Sequence, residues 1–512
     1  MSGWADIRRG LAGKRRQLTA LLRQPERAQQ QLLTEILRRN RRSEFGRRYG
    51  FASIDGVSAY ASRIPIQTFE DLREDIGRMM NGTGNVLCAD EVLLFEETGG
   101  STGGQKYIPI TAHSIECLRE AILPWLDDLL NARPGIMQGR AYWAISPAVR
   151  PRSHTKGGVP IGIDNDAVWF GAELAEAIGS TLAVPPEVAK HDSFKAWQRQ
   201  TLVSLLACRD LSFVSVWSPT FFLQLLEAVR KDATSLADEI EAVQPEAASV
   251  LAGFHARNRF DWQALWPALD TISCWSSASS RRYAETLKES FPRSHLQGKG
   301  LLATEGAITL PLEDACAPVL AINSAYFEFL NDEGNLVALA DLQDEASYTV
   351  IMTTAGGLYR YRLGDRVRLA GWYEASPCFE YLGREGVASD LCGEKLTEEF
   401  VRTAIAAIPG DALLVPVADQ PGYLLLLDSA AVSADEQERF AALADESLMR
   451  NPQYRHARQL EQLPMLQPRR VSSLLDTYQS ICLECGQRLG DIKPVTLAGR
   501  HWSETYLRIA GT

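Results

Sequence analysis

Residues 97–106 read E-T-G-G-S-T-G-G-Q-K, a run of glycines and hydroxyl side chains closed by one lysine. The apolar run Val92-Leu93-Leu94-Phe95 precedes it and Tyr107-Ile108-Pro109-Ile110 follows. Few jobs need so many small hydroxyl residues and glycines beside a cation. Glycines let the backbone approach a polyphosphate closely, N–H groups and Ser/Thr hydroxyls donate hydrogen bonds, and Lys106 neutralises charge. A nucleoside triphosphate is the first ligand these residues suggest. Three other readings share the same letters. A Walker A loop has the Gly99–Gly104 spacing but needs Lys where Gln105 stands, and it needs a helix next. A hydrolase nucleophile elbow, with Ser101 in G-x-S-x-G, also requires a following helix, whereas Pro109 and its neighbours read as extended. The third is a flexible surface loop, the usual meaning of Gly/Ser/Thr clusters.

Further along, β-rich runs at 142–145, 213–217, 271–275, 319–322 and 348–354 interleave with helical patterns at 115–130, 202–206 and 221–229. This alternation predicts an α/β architecture with sheets covered by helices. After Gly383-Arg384-Glu385-Gly386 the pattern restarts on a smaller scale, with a helix at 394–408, strands at 413–417 and 423–427, and a helix at 434–449. The expected division is a large N-terminal domain, 1–383, and a small α+β domain, 384–512, joined by a short hinge. A chain of 512 residues is long enough for both cores.

The net charge of −11 argues against bulk nucleic-acid binding, although residues 1–50 hold 13 Lys/Arg against 4 Asp/Glu. In that basic stretch Leu18, Leu21 and Leu22, then Leu32, Leu33, Ile36 and Leu37, recur at helical spacing. Two amphipathic helices with solvated arginine faces account for it better than a signal or transit peptide. No run reaches transmembrane length. Nine cysteines without a secretory signal suit a reducing, cytoplasmic setting. Cys482 and Cys485 form a CxxC with no second pair, and the seven histidines are scattered, so zinc, redox and histidine-based catalysis lack support.

Three more segments carry chemistry. In 358–371, L-Y-R-Y-R-L-G-D-R-V-R-L-A-G, alternation puts Tyr359, Tyr361 and Leu363 on one face and Arg360 and Arg362 on the other. Gly364-Asp365 then reads as a turn, with Asp365 placed to accept hydrogen bonds from a ribose diol; an ordinary hairpin with a wet arginine face is the plain alternative. Thr304-Glu305 offers a hydroxyl for a phosphate and a carboxylate for Mg²⁺. The preceding Gly298-Lys299-Gly300-x-x-Ala303 matches a loose dinucleotide fingerprint but lacks the helix and ribose-binding acid that make one. Tyr326-Phe327-Glu328-Phe329 is an aromatic–acidic cluster whose plain reading is a strand edge.

The order of these pieces resembles the adenylate-forming superfamily, and their wording is similar to the acyl acid amido synthetases of the Gretchen Hagen type, bacterial members included. The resemblance runs from about residue 30 to the C-terminus. It includes S-E-F-G-R-R-Y-G-F and A-Y-F-E-F, and Y-R-Y-R-L-G-D is its most specific string. It implies that Thr98, Gly100, Ser101, Thr102, Gly103 and Lys106 hold the ATP phosphates. It also implies that Thr304 and Glu305 meet the α-phosphate and Mg²⁺, that Tyr326 and Glu328 line the nucleotide site, and that Asp365 binds the ribose. Arg384 falls at the hinge; Lys395, in G-E-K-L-T-E-E, matches the lysine delivered by the mobile domain, with Lys493, in G-D-I-K-P, as a second candidate. Gly99 and Leu302 depart from the Ser and Tyr expected there.

The implied reaction is ATP-dependent, AMP-forming adenylation of a carboxylic acid followed by acyl transfer to an amine or amino acid. Trp143, Trp217, Phe221, Phe222 and Trp275 fall where such enzymes bind their acid, and suit a flat or aromatic one; their plain reading is core. The expected partners are small molecules, with neither nucleic acid nor membrane, and the expected state is a monomer or weak dimer. Transfer to coenzyme A or a carrier-protein thiol is the rival activity, and a non-catalytic binding protein of the same fold is the rival class.

Overall fold

A computed structural model of the chain describes residues 2–99, 105–144, 153–162, 170–191, 193–257, 260–385, 388–417, 421–484, 487 and 489–499. The fold is mixed α/β. A four-stranded parallel sheet runs in the order Arg140–Trp143, Leu211–Ser215, Thr271–Cys274, His295–Gly298. Beside it stands a seven-stranded antiparallel sheet whose centre is the hairpin Tyr361–Tyr373 and Ser376–Arg384. A smaller sheet at the C-terminal end is built from Ala412–Val417, Gly422–Asp428 and Gln467–Val471.

Helix Ala112–Ala132 covers one face of the parallel sheet; Thr111 caps it, its Oγ1 accepting from Ser114 N at 3.2 Å. Leu126, Leu129 and Leu130 of this helix share one apolar cluster with Ala141 and Phe213 of the sheet. The opposite sheet face meets helices Phe194–Ala207 and Pro219–Lys231. The small C-terminal sheet is apolar on both sides, as two-sided burial demands. Leu414, Leu425 and Leu427 pack under its own helices, whereas Leu413, Val415, Leu424 and Leu426 join the cluster of Val214, Phe221 and Leu226.

Two local expectations change. The helix expected at 394–408 is only Glu398–Ala404, because Leu396–Thr397 pairs with Ala388–Ser389 as a strand and Thr397 then caps the helix. Gly364-Asp365 is not a turn but a bulge within one continuous strand, where the pairing with Ser347–Thr353 shifts register. Gly364, at φ 81, takes the left-handed conformation such an irregularity favours.

Candidate active site

The two strands that flank the Gly/Ser/Thr loop pair antiparallel. Strand Val92–Gly99 pairs with Gln105–Thr111, Thr98 opposite Lys106 and Gly99 opposite Gln105. An extended strand, not a helix, follows the loop, which removes both the Walker A and the nucleophile-elbow readings. Gly100, Ser101, Thr102 and Gly103 lie outside the described residues. Lys106 packs its ammonium 5.8 Å from the Phe69 ring, with Glu70 nearby. Burial, and then the charge of Arg384, lowers its pKa from the ordinary lysine value, against the pull of Glu305.

Thr304 and Glu305 form the two-residue tip of a second hairpin, between Leu302–Ala303 and Gly306–Ala307. Glu305 keeps accessible surface although protein crowds it, the situation of a group lining a cleft. Burial raises its carboxyl above the usual range, and Asp365 adds to this; Arg384 and Lys106 oppose it. Asp365 and Arg384 face each other across the Tyr361–Tyr373 and Ser376–Arg384 hairpin, with Arg384 Nε 3.5 Å from the carboxylate and the Tyr381 hydroxyl donating to it at 3.5 Å. Asp365 is 5 % exposed, so its geometry is set by the sheet rather than by solvent. Arg384 is desolvated, yet Asp365 and Glu305 hold its pKa above the ordinary arginine value.

The two lysines of the C-terminal segment occupy different places. Lys395 is exposed and held at φ 46, in the left-handed region. Lys493 also keeps an exposed side chain, yet protein crowds its ammonium, which sits 4.8 Å from the Trp275 ring and 5.5 Å from the Tyr381 ring. Burial lowers its pKa, Asp365 opposes that, and Arg384 adds to it. Its backbone is tied down by the Tyr478 hydroxyl, which donates to Lys493 O at 2.8 Å. Lys106, Glu305, Asp365, Arg384 and Lys493 therefore act on one another from four separate stretches of chain.

Tyr326 and Glu328 need correction. Glu328 is spent on a buried ion pair with Arg360, whose Nε and Nη2 both donate at 2.9 Å. Arg360, expected on a wet strand face, is 3 % exposed and also donates to Ala61 O and Ile64 O. Its φ of 48 breaks the strand alternation that would have turned it outward. Tyr326, 5 % exposed, packs edge-on against Tyr60 at 5.9 Å. Both belong to the foundation beneath the site rather than to its wall.

Among the aromatic residues, Trp143, Trp217 and Trp275 are half-buried at the carboxyl ends of parallel strands, where open α/β sheets bind ligands. Trp217 and Trp275 lie 6.0 Å apart. Phe221 and Phe222 are fully buried in the helix behind, Phe221 against Trp197, and are core. Sequence reading missed Tyr361 and Tyr381, which meet Glu305 and Lys493; alternation alone marked Tyr361 as inward-facing without saying toward what.

Residues 14–296 match the GH3 family N-terminal domain and residues 318–384 the GH3 family central domain. Among similar proteins is an indole-3-acetic acid-amido synthetase of Arabidopsis thaliana, GH3.4, 23 % identical over 75 % of this chain and 71 % of its own. A probable indole-3-acetic acid-amido synthetase of Oryza sativa subsp. japonica, GH3.1, is 25 % identical over 84 % and 80 %. Of solved structures, the AtGH3.15 acyl acid amido synthetase in complex with 2,4-DB superposes with a TM-score of 0.84 at 21 % identity, covering 97 % of this chain and 95 % of that one. A 2-hydroxyisobutyryl-CoA ligase in the postadenylation state superposes at 0.57 with 12 % identity, over 94 % and 90 %. The fold is thus that of adenylate-forming enzymes, and the chain belongs to the GH3 family.

Proposed function

We propose that this chain is an ATP-dependent acyl acid amido synthetase. A carboxylate oxygen of the acid attacks the α-phosphorus of ATP, the bond to pyrophosphate breaks, and an acyl adenylate forms. An amine or amino acid then attacks the acyl carbon, AMP departs with the bonding electrons, and the nitrogen loses a proton. Activation is needed because the oxide of a free carboxylate is no leaving group, while AMP is. The observation that carries this reading is the position of Lys493, brought from the C-terminal segment to within reach of Asp365, Arg384 and the Trp275 wall. A lysine there can oppose charge growing on the α-phosphate, and the fixed side chains hold donor and acceptor without reorganisation.

The residue roles follow from that placement. Lys106, together with Thr98, Gly100, Ser101, Thr102 and Gly103, takes the β- and γ-phosphates; Asp365 takes the ribose hydroxyls; Thr304 and Glu305 meet the α-phosphate. Residues 384–512 are the moving unit, turning about Arg384 between adenylation and amide formation. In this reading Lys493, beside Trp275 and Tyr381, serves adenylation, and Lys395 serves amide formation. Among the described residues no group of three potential ligands could hold a metal by itself. The lone Glu305 carboxylate fits a Mg²⁺ that arrives on ATP and takes its other ligands from phosphates and water. Such an ion, when bound, offsets phosphate charge. Kinship with bacterial members, in line with Leu302 where plant members carry Tyr, and a cytoplasmic setting belong to the same proposal. None of the described helices is long and apolar enough to cross a membrane.

The test is acid-dependent exchange of pyrophosphate into ATP across a broad carboxylate panel. Product masses with amino acids and aryl amines, against coenzyme A and carrier thiols, follow. Amide products are expected; thioester products would replace the proposal with a thiol ligase, and absence of exchange with every acid would overturn it.

A further inference from the structure

Lys299 follows directly on the parallel strand His295–Gly298, at the carboxyl end where Trp143, Trp217 and Trp275 also stand. Its backbone is fixed to the sheet, Lys299 N donating to Cys274 O at 2.8 Å. Its ammonium lies 5.3 Å from the Trp125 ring and 5.0 Å from the Trp217 ring, and donates to Ser215 Oγ at 2.9 Å. Ser215 is the register partner of Trp143. Among the described residues Lys299 has no carboxylate within ion-pair distance. One hydroxyl and two indole faces leave an ammonium with donors to spare, in surroundings where an unpaired charge is costly. Burial lowers its pKa to about 8, so it still carries its proton at neutral pH. It nonetheless retains accessible surface.

Lys299 also has a fixed relation to the nucleotide cleft. Trp217, which it faces, lies 6.0 Å from Trp275, and Trp275 carries Lys493 on its ring. Each indole of the pair thus carries one ammonium, Lys299 on Trp217 and Lys493 on Trp275. The geometry points to a subsite in which Lys299, with Ser215, binds a second anionic oxygen group at the far end of the acyl acid, so that the preferred substrate is a flat diacid-like molecule lying along Trp217 and Trp275. This rests on the amido-synthetase reading for the identity of the Lys493 end. Cation–π contact holds the ammonium in place but supplies no counter-charge, and a bound carboxylate or phenolate would supply it through charge-assisted hydrogen bonds.

The test uses matched pairs of acids: terephthalate, 4-carboxyphenylacetate and naphthalene-2,6-dicarboxylate, each against its monomethyl ester, which keeps the size and removes the distal charge. Pyrophosphate exchange gives kcat/KM for each, and tryptophan fluorescence without ATP gives binding, for the full chain and for Lys299→Met and Lys299→Arg. The expected result is a preference of about tenfold or more for at least one diacid over its ester, residing in KM. In Lys299→Met that preference falls to within about twofold, and in Lys299→Arg most of it survives. A purely structural Lys299 would instead lower the melting temperature and weaken diacid and ester alike; that outcome, or no discrimination on any scaffold, overturns the proposal. Lys299-dependent diacid binding without exchange would sink the synthetase reading and leave the anion subsite standing, while exchange that favours the esters would do the reverse.

Discussion

Removing the charge of Glu328 offers the most direct check on how the site is supported. In the folded chain its carboxylate accepts two hydrogen bonds from Arg360 at 2.9 Å, and the pair is almost fully enclosed, with side-chain exposures of 4 % and 9 %. Glu328→Gln keeps the shape and leaves the guanidinium with no counter-charge, a loss of about 3–5 kcal/mol for a buried pair broken on one side. For a unit of a few hundred residues that corresponds to a fall of roughly 5 °C in its melting temperature. Arg360→Met removes the guanidinium and also leaves Ala61 O and Ile64 O without their donor, so it is expected to cost at least as much. The double variant Glu328→Met/Arg360→Met has no buried charge left, only the two bereft carbonyls. Its loss is expected at about 2 kcal/mol, well short of the sum of the single losses. Differential scanning fluorimetry on the four proteins closes the cycle, and ATP dependence of pyrophosphate exchange on the same samples reads the site. The reasoning fails if Glu328→Gln melts like the parent while the KM for ATP rises tenfold, because the carboxylate would then be acting on the nucleotide.

Three further outcomes are expected. Lys493→Ala lowers acid-dependent pyrophosphate exchange by roughly 100-fold or more, the scale of removing one preorganised electrostatic contact, whereas Lys395→Ala lowers exchange far less and amide formation more. The pH profile of exchange is narrowed from both sides: activity falls as pH drops through the raised Glu305 value and as it rises through the lowered Lys106 and Lys493 values, so Lys493→Arg should move the alkaline limb upward. Phe221→Ala costs about 3–5 kcal/mol of stability, since the ring is fully buried, and leaves the ranking of acid substrates unchanged in the exchange assay.

Local pattern alone carried the α/β class, the extended segment after the Gly/Ser/Thr loop, and two of the three strands of the small C-terminal sheet, Gln467–Val471 being the one it did not give. These depend on neighbours one to four residues away, which is the range over which alternation and propensity act. The family string Y-R-Y-R-L-G-D marked Asp365, and the sheet sets it beside Arg384. Arg360 shows where pattern stops. Strict alternation turned it outward, but its positive φ and the distant partners Glu328, Ala61 and Ile64 bury it. No local rule could foresee a pairing across 32 residues of chain. The choice between Lys395 and Lys493 is of the same kind: each sits in a plausible motif, and only the packing of the C-terminal sheet on the parallel-sheet cluster brings Lys493 over Trp275. Lys299 was legible as a letter in a weak glycine motif; its meaning as an unneutralised ammonium between two indoles arises where three strand ends and a helix meet. Near-neighbour pattern thus settled the α/β class and several of its strands and helices, though not Leu396–Thr397 or Gly364-Asp365, whose pairing partners lie further away along the chain. Tertiary structure decided which charges are paired and which are left for a ligand, because electrostatic partners are set by distance in space.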